Sequence, residues 1–210
     1  MDAAIPPAAT PILVTGGSGT LGRLVVARLR SAGQAVRVLS RGRRAHETLR
    51  GVEYMTGDLT TGAGVEAAVA GISIIVHCAG TAKGDEVKTR RLVEAASRAG
   101  AKHLVYISVV GADRVPAPSR IDRLMFGYFV SKLASERIVA ESGLPWTTLR
   151  ATQFHEAMLL TARQMARSPV LPAMAGFRFQ PVAVDDQSME KMAKALGCPV
   201  EKLMVEPYPS

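Results

Sequence analysis

The sequence predicts an α/β fold, a doubly wound parallel sheet sandwiched between helices in three αβα layers, and two observations carry that reading. Short apolar or β-branched runs recur along the chain with amphipathic segments between them, the rhythm of parallel strands joined by helical crossovers. The first of these runs is followed directly by a cluster of glycines that opens a helical pattern.

Six runs predict strands: PILVTG at 11 to 16, AVRVLS at 35 to 40, VEYM at 52 to 55, ISIIVHCAG at 72 to 80, HLVYISVV at 103 to 110 and WTTLRA at 146 to 151. Strands this apolar are expected to be buried on both faces. Between them, GTLGRLVVARLRSAG and EVKTRRLVEAASRAG place apolar residues at helical spacing and stop on Gly33 and Gly100, as helices commonly do. From Thr152 to Gly176 the rhythm is lost in a stretch rich in Met, Ala and Pro, which suits a mobile substrate-side region. There is no internal repeat and no low-complexity segment. Residues 1–186 are read as one domain and residues 187–210 as an atypical helical tail.

With 210 residues, 48% of them hydrophobic and 21% charged, the chain can bury a proper core as one globular unit. No apolar run approaches the ~20 residues of a membrane-spanning helix. The opening MDAAIPPAATP has neither a basic leader nor a hydrophobic signal core, so a cytoplasmic location is expected. Cys78 and Cys198 show no metal-ligand spacing and no disulfide framework, and no metal is expected. The formal charge of +8 is local: between Thr20 and Arg50 there are eight arginines against the single acid Glu47. Such a field suits a phosphorylated cofactor, a polyanion or simple solubility; of these the cofactor is preferred, and a nucleic-acid partner is not expected.

The glycines form Gly16-x-x-Gly19-x-x-Gly22, overlapped by Gly17-x-Gly19-x-x-Gly22, between a strand and a helix. That context makes the pattern the dinucleotide fingerprint of a Rossmann-type sheet. Glycine allows a tight turn, lets a pyrophosphate approach the backbone, and brings helix and strand together, while the helix N-terminus offers unpaired N–H groups to the phosphates. Gly16, Gly17, Ser18, Gly19, Thr20, Leu21 and Gly22 are therefore expected to hold the cofactor. An acid ~20 residues beyond the motif would take the ribose hydroxyls of NAD. Here the segment reads Ser40-Arg41-Gly42-Arg43-Arg44, with Arg41 nineteen residues after Gly22. Ser40, Arg41 and Arg44 are expected to grip a 2′-phosphate, which favours NADP(H), NADPH over NADH.

With these residues in place, the chain resembles the atypical short-chain dehydrogenase/reductases, in particular their NmrA-like branch of NAD(P)H-binding proteins. The resemblance runs over about residues 11 to 186, through VTGGSGTLG, GDL at 57 to 59, HCAG at 77 to 80, LVYISVVGAD, YFVSKLASERIVAESGLPWTTLRATQFHE and FRFQPVAVDD. It implies that Asp58 and Leu59 sit at the adenine and that Ala79 and Gly80 line the turn after the fourth strand. Tyr128 and Lys132 fit the Tyr-x-x-x-Lys pattern of the superfamily, and four residues is one helical turn, so the two share a face. In the family mechanism Lys132 would hold the nicotinamide ribose and lower the pKa of Tyr128, whose phenol exchanges a proton with the substrate oxygen as hydride moves. The alternative is that Tyr128 belongs to the core and Lys132 alone contacts the cofactor.

The family places a carbonyl-polarising serine just beyond the fifth strand. Ser108 is followed here by Val109 and Val110, one of which takes the usual serine position, leaving Ser108 as the third catalytic candidate. Loss of that donor would remove ~3 kcal/mol of stabilisation, which favours a quinone or other conjugated acceptor over a plain ketone. Gln153 and His155 follow the sixth strand, where such sheets bind substrates, and are the substrate candidates. His77, within an apolar run, is expected to be a satisfied core residue beside the cofactor. The chain after QPVAVDD is shorter than the family's substrate side, so a shortened C-terminal substrate region is expected. The resemblance implies an NADP(H)-dependent oxidoreductase acting on a small carbonyl, quinone or similar acceptor; the alternative is a non-catalytic NAD(P)-sensing regulator acting through a protein partner.

Overall fold

In the computed structural model, which describes residues 10–42, 51–81, 84–114 and 120–152 with the side chains of 120–126 excepted, strands and helices follow one another as the sequence rhythm predicts. They are β1 (Ile12–Thr15), α1 (Thr20–Ser31), β2 (Val36–Ser40), β3 (Val52–Thr56), α2 (Val65–Val69), β4 (Ile74–His77), α3 (Asp85–Arg98), β5 (His103–Val109), α4 (Arg120–Ala140) and β6 (Trp146–Ala151). The strands form one sheet in the order β3-β2-β1-β4-β5-β6, and every pairing is parallel. The chain runs outward from β1 to β3, returns to the centre at β4, and continues outward to β6. The reversal lies between β1 and β4, where Thr15 stands level with His77.

Period-two alternation splits the strand residues between two cores. Leu13, Leu39, Ile75, Leu104 and Tyr106 face α2, α3 and Val139 of α4. Val14, Val38, Val76 and Val105 face the α1 side chains Val25, Val26 and Leu29, each of which contributes about 1.5–3 kcal/mol by leaving water. Burial on both faces thus holds for β1, β2, β4 and β5. It fails for β3, where Glu53, Tyr54 and Thr56 are exposed, and for β6, where Trp146 and Arg150 are. Both are edge strands, with a neighbour on one side only.

The glycines expected to stop α1 and α3 do so by the same device. Gly33, at φ +75°, donates to Arg30 O at 2.9 Å while Gln34 N–H reaches Leu29 O at 3.0 Å. Gly100, at φ +71°, donates to Ser97 O at 3.1 Å and Ala101 N–H reaches Ala96 O at 3.0 Å. These paired bonds close the orphaned carbonyls of a helix end and need a left-handed residue at the turn.

Part of the arginine-rich stretch is absorbed by the fold. Arg37 on β2 donates to Glu53 Oε2 on β3 at 2.8 Å and to the carbonyls of Ala68 and Ala70 at 3.0 and 2.8 Å, closing the C-terminal end of α2. Arg30 donates to Gln34 O at 3.0 Å. Arg43, Arg44 and Arg50 lie outside the described residues, as do Cys198 and the whole of residues 153–210 with the expected tail, Gln153 and His155. No helix among the described residues is long and apolar enough to cross a membrane.

Candidate functional site

The glycine loop lies at the reversal point, and the reason for each bare position differs. Gly16 has φ +70°, and a Cβ there would stand 2.7 Å from the backbone N and Cα of Ala79, so the loops after β1 and β4 touch. A Cβ on Gly22 would stand 2.1 Å from Gly16 O, and one on Gly17 would stand 2.7 Å from Val38 Cγ1. At these three positions the protein's own atoms exclude a side chain, the tight-turn and helix–strand-packing part of what the motif predicts. Gly19 differs: a Cβ there would meet Gly16 O at 3.2 Å and no other non-neighbouring atom within 4 Å. Gly19 also caps α1, whose first helical bond runs from Arg23 N–H to Gly19 O at 3.0 Å. The amides of Thr20, Leu21 and Gly22 precede that bond. Among the described residues no side chain caps the helix, and its first turn holds no acid, so they leave its positive end uncovered. Leu21 is partly buried against the α1-side core, and only its backbone belongs to this anion-facing turn.

A cleft of about 210 Å³ opens above these residues, lined by Gly16, Ser18 and Gly19, by Ser40 and Arg41 at the end of β2, by Gly57 to Thr60 after β3, by Cys78 to Thr81 after β4, and by Lys88 of α3. Complete ligand pockets hold ~300–1,000 Å³, so this cleft fits part of a dinucleotide. Its shape agrees with the cofactor on three counts: an uncovered helix N-terminus, a loop of close backbone approach, and a guanidinium at the end of β2 where an NAD site would carry an acid. Arg41 is exposed. Asp58 Oδ1 accepts the Thr60 N–H at 2.7 Å; that bond first, and the Arg41 and Lys88 charges after it, hold the carboxyl below its ordinary range. The Leu59 side chain is buried in the core. Cys78 is a half-buried free thiol, pushed up to about 12 by burial, and so uncharged at neutral pH.

Next to this cleft α4 presents Lys132. Its Nζ donates to Ile107 O at 3.1 Å, lies 3.3 Å from Asp85 Oδ2, and sits 5.1 and 5.9 Å from the ring centroids of Tyr106 and Tyr128. A Cβ on Gly80 would stand 3.1 Å from both Lys132 Nζ and Asp85 Oδ2, which places the pair against the cleft wall. Asp85 is 1% exposed. Its Oδ1 accepts the Thr81 N–H at 2.7 Å and the Thr81 hydroxyl at 3.1 Å, and Lys88 Nζ lies 3.5 Å away. The Oδ2 contact with Lys132 is an ion pair by distance without hydrogen-bond alignment. Ser131 Oγ accepts the Asp85 N–H at 3.1 Å and donates to Glu86.

The sequence reading singled out neither Asp85 nor Lys88, nor Gly57, Thr60, Cys78 and Thr81 as site residues. Lys88 falls one turn after Asp85 on the helix that follows HCAG, a spacing visible in the sequence, but nothing in the sequence points that face at the cleft.

His77 is 1% exposed, and burial, with the charges of Lys132 and Lys88 adding to it, lowers its pKa to about 3. One neutral tautomer satisfies every neighbour: Ala79 N–H donates to Thr15 Oγ1, whose hydroxyl donates to Nδ1, while Nε2–H donates to Thr89 Oγ1, whose hydroxyl donates to Asp85 O. His77 is the satisfied core residue the sequence suggested, tying the glycine loop to α3.

Tyr128 shares its face with Lys132 but does not belong to the core: it is 39% exposed, its ring edge-on to Phe129 at 5.6 Å. The expected acidification of its phenol is reversed. Burial first, and the Asp85 charge second, raise its pKa above the ordinary tyrosine value. Ser108 is 4% exposed, its Oγ has no hydrogen-bond partner among the described residues, and it does not line the cleft. Val109 is buried and Val110 is 42% exposed.

A family model described as NAD(P)H-binding matches residues 16–170. The chain is 33% identical over 187 residues to the (4-alkanoyl-5-oxo-2,5-dihydrofuran-3-yl)methyl phosphate reductase of Streptomyces griseus subsp. griseus, covering 88% of this chain and 62% of that protein. Among solved structures, triphenylmethane reductase of Citrobacter sp. complexed with NADP(H) superposes with a TM-score of 0.68 at 26% identity, over 89% of this chain and 65% of that one. The NADPH-dependent quinone oxidoreductase of Escherichia coli complexed with NADPH reaches a TM-score of 0.71 at 22% identity, over 89% and 64%, a likeness of fold. The chain spans less than two thirds of the length of each of these proteins.

Proposed function

This chain belongs to the NAD(P)H-binding family, and from that premise we propose that it is an NADPH-dependent reductase of the atypical short-chain type, passing hydride to a quinone or similarly conjugated small acceptor. The observation that carries the cofactor choice is Arg41, the residue that follows β2 and lines the cleft where NAD-selective sites place an acid. A guanidinium binds a 2′-phosphate in a bidentate, charge-assisted way. The (4-alkanoyl-5-oxo-2,5-dihydrofuran-3-yl)methyl phosphate reductase and triphenylmethane reductase are both named as reductases, and this supports catalysis over a purely regulatory role.

The residues divide the work as follows. Ser18, Gly19 and the first amides of α1 receive the diphosphate; Ser40 and Arg41 receive the ribose phosphate; Asp58 and Leu59 border the adenine; Ala79 and Gly80 floor the cleft. When bound, the cofactor supplies the hydride. Lys132, anchored by its hydrogen bond to Ile107 O and its ion pair with Asp85, offers another N–H to the nicotinamide ribose beside Gly80. Tyr128, with its phenol held above the usual range, is protonated at neutral pH and acts as a hydrogen-bond donor to the acceptor oxygen, the role a reduction needs. Ser108, buried and without a hydrogen-bond partner among the described residues, stands as the weakest member of the set. An acceptor whose negative charge delocalises on reduction needs the least from it.

Fluorescence titration with NADPH and NADH tests the reading. The wild type binds NADPH more tightly, and Arg41→Ala weakens NADPH binding about tenfold or more, the scale of a lost charge-assisted contact, while leaving NADH within twofold. Equal losses for both nucleotides, or binding of neither, would overturn it. Cofactor oxidation with a quinone, and its reduction in Tyr128→Phe, then separates an enzyme from a sensor.

A further inference from the structure

Lys88 is a lysine in an unusual position, and resting on the cofactor reading above we propose that it is a second cationic ligand for the cofactor's diphosphate, on the β4 side of the cleft that the glycine loop borders from the β1 side. Its side chain is only 13% exposed, yet it lines the cleft together with Gly16, Ser18 and Gly19. The ammonium is held in place, not merely close. Nζ donates to Thr81 Oγ1 at 2.5 Å and lies 3.5 Å from Asp85 Oδ1, two contacts that leave one of the three donors of a lysine for a ligand. Both anchors belong to the loop and helix that follow β4, so the position of the ammonium does not depend on the glycine loop.

The charge count points the same way. Asp85 is a single carboxylate serving two ammonium groups, Lys132 at 3.3 Å and Lys88 at 3.5 Å, and the buried cluster carries one positive charge in excess. Its field reaches across the cleft, because Lys88 contributes both to the lowered pKa of Asp58 and to that of His77. A buried excess charge is costly without a counter-ion. Among the described residues no acid other than Asp85 forms an ion pair with either ammonium; Asp58 and Glu86 keep their charges, hydrogen-bonded to the Thr60 amide and the Ser131 hydroxyl. An uncovered helix N-terminus and an anchored ammonium lining one cleft form a site for a doubly charged anion. The 2′-phosphate has Arg41 at the end of β2; the diphosphate, common to NADPH and NADH, is the group that Lys88 serves.

The two cations therefore have separable signatures. Lys88→Met should weaken NADPH and NADH binding by the same factor, about tenfold, and reduce the salt dependence of both, while Arg41→Ala weakens NADPH alone. Lys88→Arg, which keeps the charge, should stay near wild type for both nucleotides and guards against a variant that fails to fold. Melting of each variant without nucleotide reports the structural share of the Thr81 and Asp85 contacts. Wild-type protein that binds neither nucleotide would overturn the cofactor reading and this inference with it. Wild-type binding that Lys88→Met leaves within twofold, or weakens for NADPH only, would overturn the diphosphate assignment and leave the cofactor reading standing.

Discussion

Asp85 stands between two ammonium groups, capped by the Thr81 amide and almost fully buried. Removing one partner of such an arrangement leaves uncompensated charge in a low-dielectric site, which typically costs ~3–5 kcal/mol. Asp85→Asn should lower the urea midpoint accordingly. It should also move the tyrosine titration down, since the carboxylate raises the pKa of both Tyr106 and Tyr128; absorbance near the phenolate band, followed with pH, reads this directly. His77 makes the opposite kind of prediction. Its pKa falls from 6.5 unfolded to about 3 folded, so the unfolded chain binds the extra proton between those values. Stability from this group is complete above pH 6.5 and is lost as pH falls toward 3, with a slope of up to ~1.4 kcal/mol per pH unit. His77→Gln should flatten that limb of the stability profile relative to wild type. An unchanged slope would mean that His77 is not held neutral. The one-turn spacing of Tyr128 and Lys132 is legible in the sequence, and the structure keeps the two on one face. The sequence was silent on Asp85, whose role is a long-range pairing with a helix that begins thirty-five residues later.

At the scale of elements, the β1–α1 turn shows why glycines of one motif are not equivalent. Gly22 is bare because α1 presses on the carbonyl of Gly16, and Gly19 is bare where the cleft opens. Gly22→Ala would place Cβ 2.1 Å from a backbone oxygen that cannot move without displacing the strand. A loss of ~3 kcal/mol or more, the upper end for overfilled sites, should appear in thermal melts. Gly19 has φ −80°, which alanine adopts freely, so Gly19→Ala should cost no more than about 1 kcal/mol as a changed helix cap and still weaken nucleotide binding. If both variants melt alike, the division of labour among the glycines is wrong. The helix stops at Gly33 and Gly100 and the strand cores were legible in periodicity and turn chemistry, which are local. The edge exposure of β3 was not, because VEYM reads as a strand whichever side of the sheet it borders.

For the whole molecule, the reversal of strand order between β1 and β4 gathers five separate segments around one cleft. A ligand that bridges them stabilises the folded state alone. At one hundred times its dissociation constant it adds about 2.7 kcal/mol, which for a chain of this size is a rise of roughly 5–10 °C in Tm. NADPH should produce that shift at a lower concentration than NADH in the wild type, and Arg41→Ala should bring the two curves together. Identical curves for the two nucleotides in the wild type would remove the NADP preference.

What the sequence determined by itself was periodic or short in range: alternating strands and helices, the strand-glycine-helix motif, the missing acid after β2, and the one-turn spacing of Tyr128 and Lys132. These are legible because backbone geometry imposes a repeat on the side chains that follow it. Only the tertiary structure decided which glycines face protein and which face the cleft, that Asp85 and Lys88 join the site, and that the phenol of Tyr128 is raised instead of lowered. Each of those depends on charges and backbones that meet across the sheet's reversal point, and energies of that kind follow distance in space, not separation along the chain.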